Sequence, residues 1–144
     1  SHTAPNRIGG TASPKSAFNF EGWTTGENQK EGMWFQIEFP NALELTGLQF
    51  NSPPISRGWR EGSPPPLQTF ANSYEILTSK DGKNWVVLDK GEGTDQDFKL
   101  DFNPVTTKFL KFKLTSTVKD ENEIPWRIRQ LKLYALNTQK ELSK

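Results

Sequence analysis

The sequence contains no cysteine and only one histidine, His2, near the start of the chain. Without cysteine there are no disulfide bonds, thiol nucleophiles or cysteine-ligated zinc. Without an internal histidine the chain lacks the commonest general base and the commonest transition-metal ligand. The acidic pairs Asp95/Asp97 and Glu21/Glu27 are interpreted as solvated turn charges rather than as a glycosidase pair. We therefore predict that the chain is not an enzyme.

Long hydrophobic runs and an excess of either charge are also missing. The 18 Lys and Arg residues nearly balance the 17 Asp and Glu residues, and the net charge is +1. The mean hydropathy is -0.74, and no apolar run approaches the length of a transmembrane helix. Neither a nucleic acid nor a membrane is therefore expected as a partner.

No helical periodicity persists for three turns, whereas two-residue alternation recurs along the chain. From Met33 to Phe39 every second residue is apolar, and the strand is expected to end at Pro40-Asn41. Asp81-Gly82 predicts a hairpin turn. Short strands separated by turn signals favour a β-sandwich over a βαβ fold. We predict a single domain over residues 1–144, with a core at about 7–136 and flexible ends at 1–6 and 137–144.

Three phrases occur in a fixed order along the chain. The first is Trp23-Thr24-Thr25-Gly26 running into Gly32-Met33-Trp34-Phe35-Gln36-Ile37-Glu38. The second joins Tyr74-Glu75-Ile76 to Ser79-Lys80-Asp81-Gly82-Lys83-Asn84-Trp85, and the third is Trp126-Arg127-Ile128-Arg129-Gln130-Leu131-Lys132-Leu133-Tyr134. Together they resemble the discoidin domain, also called the coagulation factor V/VIII type C domain, of the galactose-binding-like superfamily. The resemblance implies an all-β, antiparallel jelly-roll β-sandwich.

The resemblance also implies a function. Bacterial members are usually non-catalytic carbohydrate-binding modules that target larger secreted glycan-active proteins to a glycan. The expected partners are a carbohydrate and other domains of a parent chain, and the expected location is extracellular, on the cell surface or periplasmic. The start at Ser1-His2-Thr3, without an initiator Met, is typical of an excised domain. The alternative is a protein-interaction or spacer β-sandwich without a sugar site. Lipid binding ranks last, because the loops carry mixed charges.

The longest loop, residues 51–72, contains the leading candidates for a sugar site. Trp59 offers an indole face for the CH face of a pyranose, while Arg57, Arg60 and Glu61 offer charge-assisted hydrogen bonds to hydroxyls. In the alternative interpretation Trp59 plugs the end of the sandwich. Second-rank candidates from neighbouring loops are Glu27, Asn28, Asn72 and Arg127. The tryptophans Trp23, Trp34, Trp85 and Trp126 are predicted to have packing roles.

Many relatives hold a structural calcium ion, and three residues occupy the corresponding positions here. Asn19 and Glu21 lie in a stretch that lacks the Asp pair of those relatives, and Gln130 stands where they have Glu. Calcium prefers several oxygen ligands that include carboxylates. We expect no cofactor and no bound calcium; Asn19, Glu21 and Gln130 are the candidate ligands of a weak site.

Overall fold

The computed structural model describes residues 2–3, 17–18, 22–25, 27–58, 60–118 and 124–136. In these ranges the regular secondary structure consists of antiparallel strands, which confirms the predicted all-β class. The strands are β1 (His2–Thr3), β2 (Trp23–Thr24), β3 (Trp34–Asn51), β4 (Ser73–Ser79), β5 (Val86–Glu92), β6 (Asp97–Leu114) and β7 (Arg127–Ala135). Hydrogen-bonded neighbours follow the order β2-β7-β3-β6-β4-β5, and β1 pairs with the first half of β3.

The two long strands, β3 and β6, each belong to both layers. The first half of β3 pairs with the last half of β6, and β4 and β5 continue that layer. The second half of β3 pairs with the first half of β6 and with β7 to form the other layer. The register shifts between Glu38 and Leu43, where both strands turn from one layer to the other. Strands that change layer at a bend form the corners of a β-sandwich, as predicted.

The prediction that β3 ends at Pro40-Asn41 is wrong, because the strand continues to Asn51. Residues 39–42 have no partner in the β3–β6 register. Proline lacks a backbone N–H, so an unpaired bend accommodates Pro40 without loss of a ladder hydrogen bond. Pro104 of β6 falls in the same way between paired residues. The proline therefore bends the strand without ending it.

Alternating apolar residues of β3 form the centre of the core, as the sequence predicts. Met33, Phe35, Ile37 and Phe39 are all buried, and Leu48 and Phe50 continue the buried row after the shift at Gly47. Phe50 lies 5.7 Å from Phe112 of the opposite layer, measured between ring centroids. The two layers therefore pack face to face through aromatic side chains.

Asp81-Gly82 forms the predicted turn between β4 and β5. Gly82 has a φ of 80°, which glycine adopts at little cost. One carboxylate oxygen of Asp81 accepts hydrogen bonds from the backbone N–H groups of Lys83 and Asn84, each at 2.8 Å. These bonds hold the pKa of Asp81 well below its usual value.

His2 and Thr3, which the sequence assigns to a flexible end, pair with Ile37 and Gln36 of β3. A search of the described residues for a helix long and apolar enough to cross a membrane finds none.

Candidate functional site

Four connecting segments meet at one end of the sandwich, which we call the loop end. Its described residues are 25, 27–33, 52–58, 60–72, 93–96, 115–118 and 124–126. Because β3 and β6 each bend back, their first and last residues lie at the same end. The β4–β5 turn and the corners of β3 and β6 lie at the opposite end. The described ligand-binding candidates named from the sequence belong to the loop end, except Arg127, which begins β7 directly after it. Loops at the end of a sandwich commonly carry binding residues.

Gln29 joins three of these segments. Its side chain is 1% exposed. Its amide nitrogen donates to the Phe70 carbonyl at 2.9 Å, and its amide oxygen accepts from the Asn72 backbone N–H at 2.9 Å. Its backbone N–H donates to Ile124, and its carbonyl accepts from Val118. The sequence analysis missed Gln29, since no local pattern distinguishes it from an exposed loop glutamine.

Asn28 and Asn72, both candidates from the sequence, also hold the loops together. The Asn28 side chain donates to the Val118 carbonyl and accepts from the Ile124 N–H at 2.8 Å. The Asn72 side chain donates to Ser116 Oγ at 3.0 Å and is exposed. The polar atoms of Asn28 are thus occupied by backbone partners, whereas Asn72 lies at the surface of the same loop cluster.

The long loop is a closed structure with a narrow base. The backbones of Ile55 and Leu67 exchange two hydrogen bonds, of 2.8 and 2.9 Å, which close residues 56–66 into a tip. Within the tip, Arg57 Nε donates to the Pro65 carbonyl at 2.6 Å. Gly58 has a φ of 129°, and a Cβ there would lie 2.6 Å from Ser63 Oγ. These contacts constrain the described residues of the tip, and a constrained loop loses less entropy on binding than a free one.

The tip carries several of the first-rank candidates at its surface. Arg60 and Glu61 are exposed, and Arg57 is half-buried against the proline segment. Trp59 lies outside the described residues. The tip thus presents two cations and one carboxylate close together in the chain, which suits polar recognition of hydroxyl groups.

Arg127 supports the base of the long loop. Its guanidinium donates to the Pro53 carbonyl at 3.2 Å, and its backbone N–H donates to Thr69. Ser52 Oγ donates back to the Arg127 carbonyl at 2.6 Å. Desolvation, with the nearby Arg129, lowers the pKa of Arg127. Arg127 therefore connects β7 to the loop that carries the tip.

Glu27, the remaining candidate, forms an ion pair with Lys30 at 2.9 Å. The Lys30 side chain is 60% exposed, so solvent screens the pair. The side chains of Asn28, Asn72 and Arg127 thus bond to neighbouring loops, whereas Glu27 pairs within its own segment. Arg57, Arg60 and Glu61 lie on the tip. No residue at the loop end was predicted to be catalytic.

Two of the four tryptophans with predicted packing roles, Trp23 and Trp126, lie in the core. Trp23 and Trp126 are both 1% exposed, and their rings meet edge to face at 5.4 Å. Among the described residues neither indole N–H has a hydrogen-bond partner, so these side chains contribute apolar packing. Trp34 and Trp85 lie on the outside of the layer that contains β4 and β5. The Lys111 ammonium contacts both rings, at 5.8 Å from the Trp34 centroid and 4.2 Å from the Trp85 centroid.

The described residues do not fit a calcium ion at Gln130. Asn51 Oδ1, beside Gln130, accepts from the Arg129 guanidinium at 2.8 Å, and Asp97 Oδ1 accepts from the Asn51 amide at 2.8 Å. The Arg129 guanidinium at Asn51 Oδ1 disfavours a cation there, because like charges repel. In the described ranges no group of three or more His, Cys, Asp or Glu side chains is placed to hold a metal. Asn19 and Glu21 lie outside the described residues.

Comparison with known proteins gives one family and many similar structures. The family model of the F5/8 type C domain matches residues 1–129. Chitosan-binding module 2 of a chitosanase/glucanase from Paenibacillus sp. IK-5, solved with chitotriose, superposes with a TM-score of 0.71 at 13% identity over 93% of this chain and 95% of its own. No curated protein matches this chain.

Two modules from Clostridium perfringens have the same fold. CpGH89CBM32-5, solved with GalNAc-β-1,3-galactose, has a TM-score of 0.68 and 18% identity over 94% of each chain. The family 32 module of NanJ, solved with galactose, has a TM-score of 0.69 and 13% identity over 92% of this chain and 91% of its own. At these identities the likeness establishes the fold.

Proposed function

Since the chain belongs to the F5/8 type C domain family, we propose that it is a non-catalytic carbohydrate-binding module that binds a glycan through its loop end. The observation that carries the proposal is the set of interlocked loops, which presents a polar tip above a hydrogen-bonded base. The carbohydrate ligands of similarly folded modules support this choice of ligand class.

In this proposal the tip supplies the main contacts. Trp59 stacks against a pyranose ring, while Arg57, Arg60 and Glu61 bind its hydroxyl groups. Asn72 and Glu27 border the site, and Arg127 and Asn28 hold its base in position. A shallow surface that contacts one or two sugar rings gives weak binding, with a Kd of roughly micromolar to millimolar.

The biological role follows from weak binding. A module of this kind raises the effective concentration of a tethered partner domain on a polysaccharide. We therefore place the chain as an accessory domain of a larger secreted glycan-active protein, located outside the cell, on its surface or in the periplasm.

The test is a glycan microarray probed with the isolated chain, with and without calcium. Trp59→Ala and Arg57→Ala alter the proposed tip, and Lys83→Ala, in the turn at the opposite end, is the control. We expect binding to one group of glycans that both tip variants lose and the control retains, independent of calcium.

Two other outcomes would contradict parts of this proposal. Binding that survives Trp59→Ala would place the sugar site elsewhere. An array without signal, for protein with a normal folded spectrum, would reject carbohydrate binding and favour the spacer alternative.

A further inference from the structure

The outer face of the layer formed by β7, β3 and the first half of β6 carries a polar depression away from the loop tip. Its cavity volume is about 270 Å³. We call it the outer groove; it is lined by the polar residues Gln49, Asn51, Asp97, Lys99, Gln130 and Lys132, together with Phe50 and Phe98. None of these residues except Gln130 was a candidate from the sequence, and Gln130 was a candidate only for calcium.

Strand register places two lysines on opposite sides of the groove. Gln49 of β3 pairs with Lys132 of β7 on one side and with Lys99 of β6 on the other. Paired residues point to the same face, so the three side chains form one row across the sheet. Strand spacing puts the two lysine Cα atoms roughly 10 Å apart.

Both lysines are exposed, and their charges are not neutralised by a close carboxylate. Within the described ranges the ion pairs are Lys30–Glu27 and Lys108–Glu38, neither of which lies on this face. Two carboxylates share this face: Asp97, which accepts a hydrogen bond from Asn51, and Asp101, which pairs with Gly47 in the same row as Tyr134. Neither of these described carboxylates forms an ion pair with Lys99 or Lys132. The row Lys132–Gln49–Lys99 therefore offers two cations and an amide to a ligand.

A bulge in β7 directs a further amide to this face. Gln130 and Leu131 together oppose the single residue Phe50 of β3, and Gln130 has a φ of 52°. A non-glycine residue in this region carries strain, and bulges commonly re-aim a side chain beside a binding site. Here the bulge lets Leu131 face the core while Gln130 lines the groove.

An exposed aromatic ring extends the groove along the strands. Tyr134 is 42% exposed and lies one outward position beyond Lys132. It pairs with Gly47, and its ring lies 3.7 Å from the position that a glycine Cβ would occupy. The ring therefore covers the glycine backbone, as aromatic residues do beside strand glycines. From Tyr134 to Gln130 the face extends roughly 14 Å, enough for an extended ligand.

We propose that the outer groove is a second binding surface, which takes an extended glycan chain bearing carboxylate or sulfate groups. The anionic groups bind Lys99 and Lys132, hydroxyl groups bind the amides of Gln49 and Gln130, and a sugar ring packs on Tyr134. This surface acts independently of the loop end, and occupancy of both would bind one polysaccharide at two points.

The test uses three polymers with one backbone: dextran, carboxymethyl-dextran and dextran sulfate. Binding is measured by affinity gel electrophoresis at two salt concentrations. The variant Lys99→Gln/Lys132→Gln alters the groove, and Lys83→Gln/Lys90→Gln makes the same charge change at exposed positions of the other layer. We expect the anionic polymers to retard the wild-type protein and the control variant. The groove variant should bind these polymers about tenfold more weakly. Neutral dextran should retard none of the proteins.

Further variants separate this surface from the loop end and from a folding defect. Tyr134→Phe should retain binding and Tyr134→Ala should weaken it, while Lys99→Gln/Lys132→Gln should leave binding of neutral glycans at the loop end unchanged. A preference for either anionic polymer identifies the group that is recognised. The proposal is overturned if neither polymer binds, or if the groove and control lysine pairs lose binding equally, because charge alone would then account for it.

Discussion

At the scale of the residue, the loop end depends on one buried amide. Gln29 has hydrogen-bond partners in residues 52–72 and 115–126, so it holds three segments in one arrangement. Loss of a hydrogen-bond partner lowers stability more for a buried polar group than for an exposed one, because water cannot replace the partner of the buried group. The geometry of the proposed sugar site therefore depends on a residue that need not touch sugar.

Replacement of Gln29 by leucine should be strongly destabilising. The change leaves the Phe70 carbonyl and the Asn72 N–H without partners, so we expect the free energy of unfolding to fall by about 2–4 kcal/mol. Urea denaturation measures this free energy. Gln68→Leu makes the same change at an exposed position of the long loop and should stay within about 0.5 kcal/mol of the wild type. If both variants lower the free energy of unfolding equally, the Gln29 side chain does not hold the loop end together.

Asp81 should make the stability of the β4–β5 turn depend on pH. Its folded pKa is lowered by hydrogen bonds to the carboxylate, so its contribution is complete above the unfolded pKa of about 3.9 and is lost as the pH falls further. We expect Asp81→Asn to lower Tm at pH 5–7 and the difference from wild type to shrink below about pH 4. Thermal melts between pH 2 and 7 test this, with Asp101→Asn as the control. A difference that is constant with pH would contradict it.

At the scale of the element, the sequence predicted where strands occur better than where they end. Alternation at Met33–Phe39 and the Asp81-Gly82 turn identified local structure, because the side-chain period and the positive φ of glycine are local properties. The strand continues past Pro40 because β3 and β6 bend together. This continuity depends on the pairing of two distant segments, so the sequence around Pro40 alone does not predict it.

Contacts between segments explain the remaining misses at this scale. Gln29 and the Ile55–Leu67 closure arise from segments far apart in sequence. The tip residues Arg57, Arg60 and Glu61 could be proposed from composition, whereas the outer groove could not. Its lysines share a row only through the register of three strands.

Close approach of two segments at the loop end gives a steric prediction. A Cβ at Gly93 would lie 2.0 Å from the Ala71 carbonyl oxygen and 2.7 Å from the Phe70 ring. Gly93→Ala should therefore displace residues 93–96 and destabilise the fold by about 3 kcal/mol. Gly91→Ala is the matched control, since its Cβ would meet nothing closer than 3.4 Å. If both variants melt at the same temperature, the segments do not approach as described.

At the scale of the whole molecule, the exposed polar candidates lie apart from the aromatic core. The aromatic core between the layers involves residues such as Phe50 and Phe112, while the polar candidates lie on the loop end and the outer groove. Substitutions in either surface should therefore change binding with little change in the cooperativity of unfolding. This separation suits a module whose loops set its ligand while the sandwich is kept.

The most direct test of the central claim is a titration of the isotope-labelled chain with chitotriose and with galactose, followed by backbone amide chemical shifts. We expect shifts at the loop end, concentrated in residues 55–67 and extending to Asn72 and Arg127, with at least one of these sugars. The turn at residues 80–85 should remain unchanged. Shifts confined to the outer groove or the opposite end, with the loop end unaffected, would contradict the claim that the interlocked loops bind the glycan.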